Sequence, residues 1–277
     1  MLQLKWKDKK LDLSSPIVMG ILNLTPDSFY DGGKNKNLIS IVRHTAKMID
    51  EGASIIDIGA VSTRPNALEV NEKIEWLRLK DVLLEIRKQF PEIVLSVDTY
   101  RANIAKSAAD LGADMINDIS GGQFDEKMFP AIADIKLPYT MMHIQGTPET
   151  MQQNPKYDDV VLDISNLFET QLQKLAALGV TENIILDPGF GFGKTIEHNY
   201  ELIRRFSEFK KHGYPLLAGL SRKSMINKTL GIQAENALNG TTVLNTLALV
   251  NGANILRVHD VKEAVEAIKL VEKSTFE

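Results

Sequence analysis

What most constrains this chain is a rhythm of short β-rich apolar runs alternating with longer stretches of helical period. The candidate strands are Ile17–Leu22, Ile55–Gly59, Ile93–Val97, Met115–Asn117, Pro138–His143, Ile184–Asp187, Pro215–Leu220 and Ile255–Val258, eight in all. Most are continuous apolar runs, as expected for parallel strands covered on both faces. Helical stretches such as Leu38–Glu51, Glu72–Gln89, Asp158–Leu178, Ala234–Val250 and Val261–Lys273 fill the intervals. In the first, Ile41, Val42, Thr45, Met48 and Ile49 share one face. The sequences EGASIID (51–57), LGADMIN (111–117), LGVTENIIL (178–186) and NGANILR (251–257) repeat one punctuation. A glycine just past a helix takes the left-handed conformation that caps it, and a β-branched run follows. The spacing of these glycines is about twice a ~30-residue βα unit, which marks every second unit of an eightfold pattern.

A doubly wound open sheet also alternates strand and helix. Eight strands with no GxGxxG after the first favour a closed (β/α)8 TIM barrel. At 277 residues the chain is the size of one such domain, expected over 1–277. The opening LQLKWKDKKLDL is expected to form a small hairpin with Asp8 and Lys9 in its turn, covering the barrel floor. The net charge of -4 gives no electrostatic reason for nucleic-acid or anionic-membrane binding. No apolar run approaches the roughly 18 residues of a membrane span, and the first twelve residues lack a signal peptide's apolar core. The absence of cysteine excludes a disulfide framework and a thiolate site. A cytoplasmic protein is the default expectation.

A barrel of this kind builds its active site at the C-terminal strand ends, and those ends are heavily polar. They carry Asn23 and LTPDSFYDGG, then VSTRPN, Asp98, Asn117 with Asp118, His143 with Gln145, DPGFGFGKT, LSRKS and RVHD. Asp98, Asn117 and Asp187 suit a flat heterocycle with adjacent N–H donors and a carbonyl, because ionised Asp only accepts while Asn does both. Arg64, Lys223, Arg257 and His259 form a positive group suited to phosphate or pyrophosphate. GFGFGKT (189–195) fails as a nucleotide P-loop because its first required glycine is Pro188. The histidines have no metal-ligand spacing. His44, His198 and His212 are expected on helix surfaces, while His143 is either pocket wall or a structural hydrogen-bonding group. Trp6, Trp76 and Met141–Met142 read as packing, with Met142 also a candidate for the pocket wall.

Seven segments, MGILNLTPDSF, STRP, SVDTYR, NDISGG, DPGFGFGKT, GLSRKSMI and RVHDV, together resemble the dihydropteroate synthase family, in family order from the first strand to the last. That resemblance implies a transferase joining a dihydropterin pyrophosphate to 4-aminobenzoate in folate synthesis. It implies that Asp98, Asn117, Asp187 and Lys223 hold the pterin deep in the barrel, with Asp187 on the amino-pyrimidine edge. Arg257 would stack on the ring and reach the anion. Asn23, Arg257 and His259 match the pyrophosphate and Mg2+ site, with Asn23 the protein ligand to the metal. Thr63, Arg64, Pro65, Phe192, Ser221 and Lys223 match the 4-aminobenzoate region. Ile119, Met142 and Gly219 are expected in the substrate pocket. Phe29 and Asp31 lie in a first loop that closes with the second over the reacting centre, and Asp31 joins Asn23, Arg64, Lys223, Arg257 and His259 as the expected catalytic set. Family members are commonly homodimers and are inhibited by sulfonamides.

The departures are Ala60-Val61 where glycine and glutamate are usual, Asn66 for glycine and Tyr30 for serine. They bear on loop geometry and inhibitor sensitivity; Asn tolerates left-handed angles better than most residues. The implied reaction loses pyrophosphate before or as the arylamine arrives, so preorganised charge carries the catalysis. Rival readings are a pterin-binding methyltransferase with a corrinoid acceptor, a non-catalytic pterin-binding protein and, on fold grounds alone, a sugar-phosphate enzyme.

Overall fold

The computed structural model describes residues 2–24, 34–61 and 70–275. A hairpin of β1 (Gln3–Trp6) and β2 (Lys9–Asp12) precedes eight further strands. These are β3 (Ile17–Asn23), β4 (Ile55–Gly59), β5 (Val94–Asp98), β6 (Met115–Asp118), β7 (Tyr139–Met142), β8 (Ile184–Asp187), β9 (Leu217–Ala218) and β10 (Ile255–Val258). They pair in parallel in the order β8-β7-β6-β5-β4-β3-β10-β9. The remaining seam, β8 to β9, is joined by a parallel bridge between Leu186 and Leu216, so the sheet closes on itself as a nearly complete barrel.

Around it lie α1 (Lys34–Asp50), α2 (Glu72–Gln89), α3 (Ala102–Asp110), α4 (Met128–Ile135), α5 (Val160–Ala177), α6 (Ile196–Arg204), α7 (Ser224–Leu230), α8 (Leu238–Val250) and α9 (Val261–Thr275). The stretch expected as one helix over Ala234–Val250 divides into a 3-10 turn, Ala234–Asn236, and α8. Gly52, Gly112, Gly179 and Gly252, the four punctuating glycines, all take positive φ, between 79° and 103°. Among the described residues no helix is long and apolar enough to cross a membrane.

Successive side chains of a strand point to opposite faces, and here each face has its own core. Ile56, Ile58, Leu95, Val97, Ile116, Leu186, Leu256 and Val258 face outward and pack against the helices. Met19, Ile55, Val94, Met115, Ile185, Leu217 and Ile255 face inward at the start of their strands, packed with Leu4, Trp6 and Leu13. The hairpin is thus the barrel floor. The Trp6 indole Nε1 donates to Asp114 Oδ1 at 3.1 Å, and the same carboxylate takes Lys9, Arg87 and the Leu95 amide. Asn183 exchanges two hydrogen bonds with the Lys5 backbone, at 2.6 and 2.7 Å.

The hairpin turn falls one residue earlier than expected. Trp6 pairs with Lys9, so Lys7 and Asp8 form the turn, with Lys7 at φ 51°. This register puts Leu4 and Trp6, two residues apart, on the face that meets the barrel. A one-residue slip would turn that face to solvent.

Candidate active site

Two residues up from the apolar floor, the inward positions change chemistry. Ile55 is followed by Asp57, Val94 by Ser96, Met115 by Asn117, Ile185 by Asp187, Leu217 by Gly219 and Ile255 by Arg257. Asp57, Ser96, Asn117 and Asp187 are all buried. One guanidinium organises much of this level. Arg257 Nε donates to Asp57 Oδ2 at 2.7 Å and its Nη2 donates to Asp98 Oδ2 at 2.8 Å. Asn117 Nδ2 donates to the same Asp57 Oδ2 at 2.9 Å. Two carboxylates thus share one cation, Asp57 fully buried and Asp98 and Arg257 largely so. Burial pushes the Asp98 carboxyl up to about 7, against the pull of Arg257 and with the Asp57 charge adding to the rise.

On the opposite side, Asp187 Oδ1 accepts from the Gly189 amide at 2.8 Å. Burial raises its pKa while the positive charge of Lys223 opposes the rise. Lys223 Nζ donates to the Phe190 carbonyl and sits 4.8 Å from the centre of the Phe192 ring. Burial pushes its amine down to about 8, with Asp187 holding it up and Arg257 pressing it lower. Gly219 lies beside this amine, since a Cβ there would stand 3.7 Å from Lys223 Nζ, in ordinary contact. The loop after β8 turns sharply because Gly189 has φ 71°, and a Cβ there would meet the His143 carbonyl at 1.9 Å.

Ile119, Met142, Ile144 and Met151 form a separate apolar cluster, flanked by Tyr100, Phe124 and Phe192. It makes an apolar wall beside the charged set. At the rim, Ser221 Oγ lies 3.0 Å from His259 Nδ1 and accepts from the His259 amide at 3.2 Å, which fixes the imidazole's direction. Arg222, at φ 57°, forms a two-pronged pair with Asp260. At the end of β3, Asn23 Oδ1 and Asp98 Oδ2 each lie 3.6 Å from the position a Cβ on Gly59 would take. Two oxygens therefore flank a bare backbone. The result is a mouth with acceptors for a polar ring, an apolar wall and a basic rim.

Residues 19–259 match the family of pterin binding enzymes. Dihydropteroate synthase of Escherichia coli is 46% identical over 263 residues, covering 95% of this chain and 93% of its own. A solved Yersinia pestis dihydropteroate synthase, in a sulfonamide drug complex, superposes with a TM-score of 0.92 at 43% identity, covering 99% of each chain. That of Xanthomonas albilineans with 4-aminobenzoic acid gives 0.89 at 35% identity, covering 97% of this chain and 96% of its own. The chain belongs to the dihydropteroate synthase family.

Of the residues that the resemblance to dihydropteroate synthases singled out, Asp98, Asn117, Asp187, Lys223 and Arg257 meet at one mouth, with Ser221 and His259 at its rim and Asn23 at the end of β3. Ile119, Met142 and Phe192 share its apolar wall. Asp31, Thr63, Arg64 and Pro65, and with them Phe29, Tyr30 and Asn66, lie outside the described residues.

Two of the polar strand ends do not face the mouth. Asp118, one residue after Asn117, points the other way. It accepts from the Tyr139 hydroxyl, Ser120 and the Gly122 amide. His143 is a structural group, with Nδ1 2.9 Å from Lys194 Nζ. Lys194 also donates to the carbonyls of Gly189 and Phe192, at 2.9 and 3.0 Å, so the lysine of GFGFGKT ties down its own loop. His44 is exposed as expected, but His198 and His212 are half-buried. His198 completes the cap of α6 with Thr195, and His212 bonds Ser165 at 2.7 Å.

Sequence reasoning missed Asp57. A charge centred in the apolar run IIDIG, two residues from Ile55 on the inward face, was the signal available.

Proposed function

We infer that this member of the family condenses 6-hydroxymethyl-7,8-dihydropterin pyrophosphate with 4-aminobenzoate, in the mouth built by Asp98, Asn117, Asp187, Lys223 and Arg257. The observation that carries the site assignment is the buried network in which Arg257 and Asn117 converge on Asp57 while Arg257 also holds Asp98. Such a set is wasteful for stability alone, since an apolar interior of similar volume folds as well or better. It matches a flat ring rich in N–H donors, lying against Met142 and Ile119.

Asp98, Asn117 and Asp187 would bind the ring edge, and Lys223 would meet its carbonyl side. The reaction breaks the bond between the pterin methylene carbon and the pyrophosphate oxygen and forms a bond from that carbon to the aryl nitrogen. The ring spreads the positive charge that develops, and the buried carboxylates stabilise it. Fixed charge aimed at developing charge is usually the largest catalytic contribution. Arg257 and His259 would steady the departing pyrophosphate, with the imidazole held by Ser221. No base is needed to activate the amine, because an arylamine is neutral at pH 7. Its extra proton leaves to water after the bond forms.

A Mg2+ ion fits this chemistry. Asn23 Oδ1 is a hard oxygen ligand beside the uncovered backbone of Gly59. Among the described residues no three His, Cys, Asp or Glu side chains gather as a metal site, which suits an ion that keeps most of its ligands from phosphate and water. When bound it would neutralise pyrophosphate charge. Thr63, Arg64 and Pro65 would receive 4-aminobenzoate with Phe192 and Ser221, and Asp31 would act from the first loop. We further propose a cytoplasmic homodimer. Val243, Leu247 and Val250 on α8 and Leu270 on α9 supply an apolar face, being 52%, 44%, 59% and 72% exposed.

The test is pyrophosphate release from the dihydropterin pyrophosphate with Mg2+, with and without 4-aminobenzoate, the pterin product being identified by mass. Release dependent on 4-aminobenzoate with dihydropteroate formed is the expected result. Tight pterin binding without product would overturn it.

A further inference from the structure

We propose that Asp57 is a positioning residue that sets the order of donors and acceptors the mouth presents to its ring, acting through Asn117 and Arg257. The inference rests on the pterin-pocket reading above. Asp57 is fully buried on β4, and its two oxygens are unequal. Oδ2 accepts from both Arg257 Nε and Asn117 Nδ2, at 2.7 and 2.9 Å. Oδ1, also buried, has no hydrogen-bond partner among the described residues.

The physical consequence lies in Asn117. A carboxamide can turn over about its last bond and exchange its oxygen for its NH2 at little steric cost. An ionised carboxylate only accepts, so it repels the amide oxygen and captures the NH2. With Nδ2 committed to Asp57, Asn117 is left to offer its oxygen and one N–H on the side away from Asp57. The same carboxylate fixes the plane of Arg257 by taking Nε, while Nη2 is held by Asp98. Asp57 thereby selects one of two possible patterns without touching the ring. A neutral amide at position 57 could either donate or accept, and would leave Asn117 free to present either face.

This separates a positioning role from a merely structural one. A structural defect weakens every ring to the same degree, whereas loss of orientation weakens the preference between rings of equal size and opposite pattern. The measurement is calorimetric binding of 6-methylpterin, which is 2-amino-4-oxo, and of its 2-oxo-4-amino isomer. It is made on the wild-type chain, Asp57→Asn, Asn117→Ala and the double variant, each checked by thermal melting. The wild type is expected to prefer the 2-amino-4-oxo ring, and Asp57→Asn to lower that preference on the order of tenfold. Asn117→Ala is expected to lower it comparably, and adding Asp57→Asn to it to change the ratio little further.

An unchanged preference in Asp57→Asn, or equal weakening of both rings, would overturn the inference while leaving the pocket reading intact. Absence of any preference in the wild type would overturn the pocket reading itself. Should Asp57→Asn fail to fold, Asn117→Ala still decides, because full preference retained there would mean the oriented amide carries nothing.

Discussion

The floor and the mouth of this barrel are made by the same strands, two residues apart, and they obey opposite rules. At the floor, Ile55, Met115, Ile185 and Ile255 are buried against Leu4 and Trp6 of the hairpin, and burying such side chains stabilises by about 1.5–3 kcal/mol each. One step along, Asp57, Asn117, Asp187 and Arg257 occupy the equivalent inward positions, bringing two buried carboxylates, a buried amide and a half-buried guanidinium. Desolvating a charge costs several kcal/mol per ion even after relaxation. At these inward positions polarity is confined to one end of the barrel. A sealed, well-packed end sustains an end whose residues are arranged for a ligand.

Substitutions at the two ends should act differently. The largest effect is expected from Arg257→Ala, which strands Asp57 and Asp98 without their shared cation. Loss of one partner of a buried pair costs about 3–5 kcal/mol, so urea unfolding should register it together with loss of turnover. A variant as stable as the wild type would show that the mouth is not an interdependent charge network. Ile255→Ala, two residues earlier on the same strand, should destabilise by about 2–5 kcal/mol through its cavity yet leave pterin affinity in the folded protein unchanged. If affinity fell as well, the two ends would not be separable.

A smaller change is expected from Trp6→Phe, which removes the indole donor to Asp114 but keeps most of the apolar contact. About 1 kcal/mol of stability should be lost, with the same KM for both substrates. The mildest perturbation is pH. Because the Asp98 carboxyl is pushed up to about 7, it is mostly neutral below that pH and ionised above it. As an acceptor for ring N–H groups it works in the ionised form, so pterin affinity should rise through pH 7 and then level off. Asp98→Asn should flatten the profile. For folding the sign is reversed. The neutral form's contribution is fully present below 3.8, the ordinary value, and is lost as pH rises through 7. Affinity that falls as pH rises would contradict the assigned role of Asp98.

Much of this was legible in the sequence because a parallel barrel writes its strands as apolar runs and its site at their ends. All eight strands, the floor hairpin and the set Asp98, Asn117, Asp187, Lys223 and Arg257 could be read that way. The failures have a common cause. Reading strand ends without their alternation grouped Asp118 with the mouth and left His143 open between pocket wall and structural group, although each lies on the outward face with Tyr139 and Met141. The same habit overlooked Asp57, which sits mid-strand and acts through other side chains. The strand expected over Pro215–Leu220 shrinks to Leu217–Ala218; backbone pairing cannot be told from apolar character alone. GFGFGKT had failed as a nucleotide P-loop at its first position, and the fold supplies what composition could not, the Lys194 amine turned into its own loop.

On the proposed function, the buried acceptors of the mouth exist to hold a pterin. The most direct test is titration of the dihydropterin substrate into the wild type and Asp187→Ala, with thermal melting of both. Removal of a charge-assisted partner is expected to weaken binding by about ten- to a hundredfold, or roughly 1.5–3 kcal/mol, in a variant that still folds. Unchanged affinity in a folded Asp187→Ala protein would contradict the claim.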